Sequence, residues 1–273
     1  MTETSEQVDQ PEDFDDLEFV HSMWIERDAG LPTGDNVAEM LLSEKFDRQV
    51  AEGIAKTDDI SDTTKLVLSK EHGFVGHFQP FTIDRSISLT PLFEGDEESI
   101  NLGTQRDTFL GDNPDQSGLL AVVFHTHPIS SNIKLNRLME AVFGPRQSAS
   151  TPAKGSEDLD RFSISDLTNF KRRALEENPS LIYALGVRDK EDRSKGKLIL
   201  ISSGRWESLM GFDPNATFHK TMEYKREGKD HLEAYKEFGL NVVSLDVNLA
   251  STPHLDSKQI AKASQVLTTR AND

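Results

Sequence analysis

The chain has no cysteine among its 273 residues. That excludes disulfides, thiolate catalysis and any Cys-ligated zinc or iron–sulfur centre. A metal ion, if there is one, must be held by His, Asp, Glu or water. Long apolar runs are missing too. No stretch approaches the length that spans a bilayer, hydrophobic residues make up 36% of the chain, and mean hydropathy is −0.52. Basic charge is outweighed by acid, giving a formal net charge of −17 and a pI near 4.9. This argues against a generic nucleic-acid binder, because phosphate contacts need a basic surface. The same balance suits solubility or a basic partner. The N-terminus is acidic and lacks the basic, apolar pattern of a signal peptide. With the absence of cysteine, this leads us to expect a cytoplasmic protein with neither a membrane nor a nucleic-acid partner.

Residues 1–35 hold eleven acids against a single arginine, a composition that predicts a disordered tail. Phe14, Leu17, Phe19, Val20, Met23, Trp24 and Ile25 interrupt it and could dock on a groove. From residue 36 to 56, Val37, Met40, Leu41, Phe46, Val50 and Ile54 recur at helical spacing. Strands are expected at 65–68, 74–78, 86–93, 182–187, 197–202 and 241–249, and helices at 135–143, 163–177 and 221–238. Residues 144–155, rich in Pro, Ser, Ala and Gly, read as a loop.

The most informative stretch is Leu-Leu-Ala-Val-Val-Phe-His-Thr-His-Pro at 119–128. It reads as a buried strand, and residues i and i+2 of a strand share a face. His125 and His127 therefore point to one place, and Pro128 tends to end the strand there. The other six histidines are scattered, with no His-Glu-x-x-His helix among them. Downstream stands Ser163-x-x-Asp166 at a helix start, with capping-box spacing. Upstream, Glu71-His-Gly-Phe-Val-Gly76 leads into a strand. Each residue has a plainer reading: a packed His pair, a helix-capping Asp166, an N-cap Ser163, a strand-end Glu71. Together they offer two imidazoles and a carboxylate, the donor set of a catalytic zinc with an open fourth position. A second carboxylate could act as general base, and a hydroxyl could stabilise an oxyanion.

His125-Thr-His-Pro128, Ser163-Ile-Ser-Asp166 and the upstream Glu71 together resemble the signature of the JAMM (MPN+/JAB) zinc metalloproteases, over roughly residues 36–203. The resemblance implies an α/β fold, a mixed β-sheet flanked by helices and similar to cytidine deaminases. It implies Zn²⁺ bound by His125, His127 and Asp166 with water as the fourth ligand. Glu71 would activate the water and Ser163 would assist the oxyanion. The implied activity is isopeptidase or peptidase cleavage of a protein or peptide substrate, ubiquitin-like proteins among them, with room for a partner subunit. Residues 1–35 would then be a tail and 204–273 a helical and strand extension serving recognition or assembly. The chain departs from the pattern twice. Asp166 follows the second histidine much later than usual, so an insertion at about 129–162 separates the ligands. Such an insertion is tolerable if its ends meet, because loop-closure entropy grows slowly with length. Glu71 stands one residue closer to its glycine than the usual Glu-x-x-Gly, with Glu39 and Glu44 as fallback bases. Asp158 or Asp160 could stand in for Asp166 if the insertion ends elsewhere. Two rival readings are a non-catalytic scaffold of the same fold and another His-x-His hydrolase, of amidohydrolase or PHP type. Those folds usually open with the motif, whereas here it lies mid-chain.

Overall fold

Parallel strands cannot be joined by a hairpin, and the way this chain solves that problem sets its architecture. The computed structural model describes residues 32–60, 67–79, 86–95, 100–127, 160–189, 191–203, 206–250 and 257–268. Most of the expected acidic tail, Pro128, the expected helix at 135–143, the expected loop at 144–155 and most of the expected insertion lie outside these residues. The main sheet is built from β3 (His72–Phe78), β4 (Ile87–Leu89), β5 (Phe93–Glu94), β6 (Leu119–His127), β7 (Ile182–Arg188), β8 (Lys195–Ser203) and β9 (Leu240–Asn248). Its order is β4-β3-β6-β7-β8-β9, with β5 also paired to β3. A separate antiparallel pair joins β1 (Asp58–Ile60) to β2 (Val67–Ser69). Within the main sheet β6 and β7 run parallel, and the other pairings are antiparallel. The fold is thus a mixed α/β sheet flanked by helices.

Both faces of the sheet are covered, which is why β6 is an almost unbroken apolar run. On one face Phe74, Val122, Phe124, Ala184, Leu198 and Leu200 pack under α1 (Gly34–Leu42), α2 (Glu44–Lys56) and α8 (Ser257–Thr268). On the other, Val75, Val123, Tyr183, Leu185 and Ile201 pack under α3 (Leu102–Asp112), α4 (Ile164–Glu176), α5 (Trp206–Gly211) and α7 (Leu232–Glu237). Helix α4 is the crossover from β6 to β7 and lies on this second face. Close approach of α2 to the sheet depends on Gly186, where a Cβ would meet Ile54 and Phe124 at 2.8–2.9 Å. Strand β9 extends the sheet, and α8 covers it through Ile260, Ala263 and Leu267. No helix among the described residues is long and apolar enough to cross a membrane.

Several expected elements are split. The helix expected at 36–56 breaks at Ser43, whose extended backbone ends α1 while its hydroxyl caps α2 by accepting from Phe46 N at 3.1 Å. The strand expected at 86–93 is interrupted at Thr90-Pro91, because proline has no N–H for the ladder. The helix expected at 221–238 is two helices, α6 (Pro214–Arg226) and α7, with Gly228 in the left-handed region between them.

His77, on β3, is 2% exposed and its Nε2 has no hydrogen-bond partner among the described residues. Burial, aided by the nearby Arg106 guanidinium, pushes its imidazole down to about 4. The unfolded imidazole takes up its proton at higher pH than the folded one. Stability is therefore complete above about pH 6.5 and drains as pH falls toward 4, by on the order of 3 kcal/mol. Urea denaturation with a chelator present should show this loss between pH 6.5 and 4.5 in the wild type. The loss should be smaller in His77→Leu, with the buried His72 still contributing in the same window, and equal slopes for the two proteins would contradict the assignment.

Candidate metal centre

Strand alternation turns Val123, His125 and His127 of β6 toward α4, and Phe124 and Thr126 to the opposite face. His125 and His127 stand at the carboxyl end of the described part of β6, where ligands of open α/β sheets gather. His125 Nε2 lies 3.2 Å from His127 Nε2. The first turn of α4 supplies the carboxylate. Asp166 Oδ1 is 3.3 Å from His125 Nε2, and its Oδ2 is 3.2 Å from His127 Nε2. Both imidazoles are 3% exposed. These three form the one group among the described residues that could hold a metal ion.

The carboxylate is fixed by the helix end that presents it. Ser163 is the N-cap of α4, and Asp166 at N3 completes a reciprocal capping box. Ser163 donates to Asp166 Oδ2 from its backbone N at 2.7 Å and from its hydroxyl at 2.6 Å, while Asp166 N donates to Ser163 Oγ at 3.1 Å. Burial alone would push the Asp166 carboxyl up. The charge and hydrogen bonds of the two imidazoles override it and hold the group well below the usual carboxylate range. Ser163 Oγ has one proton, and here it is given to Asp166. To stabilise an oxyanion that hydroxyl must rotate away from the carboxylate.

Glu71 precedes β3 and is 5% exposed. Its carbonyl accepts from Gly95 N at 2.8 Å, which pins the chain at that point. Strands β3 and β6 pair Gly73 with His125, and continuing that register sets Glu71 opposite His127 on the same face. Gly73 is required there, since a Cβ would meet the Phe124 carbonyl at 2.5 Å and Leu102 at 3.1 Å. Tyr183 of β7 forms the floor, its ring 5.6 Å from that of His125. Burial raises its phenol, and the charges of Asp166 and Glu71 add to the effect, so the hydroxyl stays neutral. The sequence reading did not single out Tyr183, nor Phe162, whose ring is 6.3 Å from that of His125. Strand alternation at 182–187 was a signal for Tyr183, but no local pattern names its partner.

His72 turns away from the cluster, with its Nδ1 3.2 Å from Lys70 O, and His77 lies toward the other end of β3. Glu39 and Glu44 belong to α1 and α2, which pack on the opposite face. Asp160 pairs with Lys225 at 2.8 Å, and Asp158 lies outside the described residues. Behind the histidines, Thr126 Oγ1 accepts from His72 N at 2.9 Å and sits 2.5 Å from Thr57 Oγ1 at the end of α2. Compared with protein-family models, curated proteins and solved structures, the chain matches none.

The donor set fits a tetrahedral ion. Bonds of about 2.0–2.1 Å place neighbouring ligand atoms about 3.3 Å apart; the two Nε2 atoms are 3.2 Å apart, and each faces its own oxygen of Asp166, Oδ1 at 3.3 Å and Oδ2 at 3.2 Å. Ser163→Ala removes the side-chain cap and one anchor of Asp166. The expected cost is about 1 kcal/mol by urea denaturation in chelator, with divalent-ion affinity weakened about tenfold by competition titration. Unchanged affinity would separate the cap from the metal centre.

Proposed function

We propose that the protein is a zinc-dependent JAMM-type isopeptidase or peptidase, that its sheet is a JAB/MPN, cytidine-deaminase-like core, and that it acts in the cytoplasm on a protein or ubiquitin-like substrate. The observation that carries this reading is the convergence of His125, His127 and Asp166 at metal-ligand spacing on the end of β6 and the start of α4. Zinc held by these three would supply Lewis acidity, lowering the pKa of water and polarising an amide carbonyl.

The chain's own groups then have separable tasks. His125 and His127 would offer their Nε2 atoms to the metal, and Asp166 its carboxylate. The Glu71 carboxylate, opposite His127, takes the proton of the attacking water and passes it to the amide nitrogen as the C–N bond breaks. Ser163 Oγ, once turned from Asp166, donates to the oxygen that gains charge. Tyr183 and Phe162 keep bulk water from the floor of the site.

Metal analysis, chelation and cleavage of ubiquitin-like fusions and isopeptide-linked conjugates test this proposal. One zinc per chain should be found, and hydrolysis should vanish with chelator and return with zinc. His127→Ala should lose the metal. Glu71→Gln should keep it while losing about 10²–10⁴-fold in kcat. Stoichiometric zinc with no hydrolysis in any variant would favour a zinc-holding scaffold. Cleavage of phosphoesters alone would favour the other hydrolase class.

A further inference from the structure

Residues 128–159 separate the two histidines from Ser163 and Asp166 in the chain, so the position of Asp166 depends on what holds the chain at 160–162. The contacts of residues 160–162 answer this, and each of the three residues has one from the α6–α7 hairpin. Lys225, in the last turn of α6, pairs with Asp160 Oδ1 at 2.8 Å. His231, the cap residue of α7, sets its Nε2 3.0 Å from the carbonyl of Asp160. The Arg161 guanidinium, 2% exposed, lies over the Phe218 ring of α6 at 4.4 Å. Phe162 N donates to the hydroxyl of Tyr235 of α7 at 3.2 Å, and the two rings meet edge to face at 6.0 Å. The next residue, Ser163, is the N-cap of α4. Phe162 also reaches His125, so a line of rings runs from Tyr235 through Phe162 to a ligand imidazole. Tyr235 is fully buried.

We propose that the α6–α7 hairpin is a positioning clamp for the metal centre, with Tyr235 and Lys225 as its positioning residues. They fix the segment 160–163, and through it the register in which α4 presents Asp166 to His125 and His127. The physical need is clear. The entropy cost of closing a connection grows only slowly with its length, but a long connection does not choose where its end sits, whereas a metal ligand must be held to within about 0.5 Å. The C-terminal part of the chain thereby becomes part of the site without contributing a ligand.

The clamp rests on the metal reading above, and the test keeps the two apart. Tyr235→Phe retains the ring and removes the oxygen that accepts from Phe162 N. Lys225→Met removes the ion pair at a half-exposed position and spares the core. Val247→Ala, on β9 under the opposite layer, serves as a control for general destabilisation. In the metal-free proteins, amide hydrogen exchange should rise at least tenfold at Phe162 and in the first turn of α4 in Tyr235→Phe. It should rise less in Lys225→Met and not at all there in Val247→Ala. With cobalt(II) as the probe metal, Tyr235→Phe should bind about 10–100-fold more weakly and shift the d–d absorption bands, while Val247→Ala keeps the wild-type spectrum. Unchanged exchange at Phe162 and α4 in Tyr235→Phe overturns the clamp, as does an equal change in Val247→Ala. Local exchange that changes while cobalt affinity and spectrum do not also overturns it as a device of the metal centre. If wild-type protein binds no cobalt, the metal reading fails first, and the exchange result alone decides whether the hairpin holds α4.

Discussion

The parallel pairing of β6 with β7 is the constraint on which the rest depends. A parallel neighbour obliges the chain to leave the end of β6, cross a face of the sheet and re-enter at the start of β7. The helix that makes this crossing runs antiparallel to the strands, so its N-terminus lies over the carboxyl end of β6. The first turn of α4 and the last turn of usable strand are thereby brought together by topology. Two histidines at alternate positions on one, and an N3 aspartate on the other, need no further device to face each other. The remaining layers serve this junction. Helices α1, α2 and α8 seal the back of the sheet, and α3 lays Leu102 over Gly73, where no side chain could fit.

The junction also concentrates charge in a dry place. Asp166 is at once the N3 partner of a helix cap and the counter-ion of two buried imidazoles. An isolated buried carboxylate would be neutralised by protonation. Here two donors from Ser163 and two imidazoles keep it charged. The helix end and the metal-competent cluster are the same set of atoms, so the order of one is the order of the other.

Much of this was legible in the sequence because it is local. The run ending in His-Thr-His predicts its own strand and the shared face of the two rings, and Ser163-x-x-Asp166 predicts a helix start through capping chemistry. The strand that follows Glu71 is legible in the same way. The elements that escaped have weaker local signals. Helix α3 buries only Leu102, so no apolar stripe marks it. The start of α6 is announced by Asp213-Pro214, an N-cap and N1 pair that apolar periodicity does not register. The anchoring of 160–162 by Lys225, His231, Phe218 and Tyr235 joins residues more than fifty positions apart in sequence. No spacing rule connects them. Only the packing of a second helical hairpin on the same face does.

Thr126 changes how variants of this protein should be sorted. It stands between the two histidines but faces the other way, where its hydroxyl meets Thr57 and the backbone N–H of His72. Thr57 belongs to the layer that covers the back of the sheet, and by position it would be filed as scaffold. Yet it is in contact with the residue that spaces the two imidazoles. The placement of the two rings thus has a support on the far side of the sheet, in a layer that holds none of the candidate ligands.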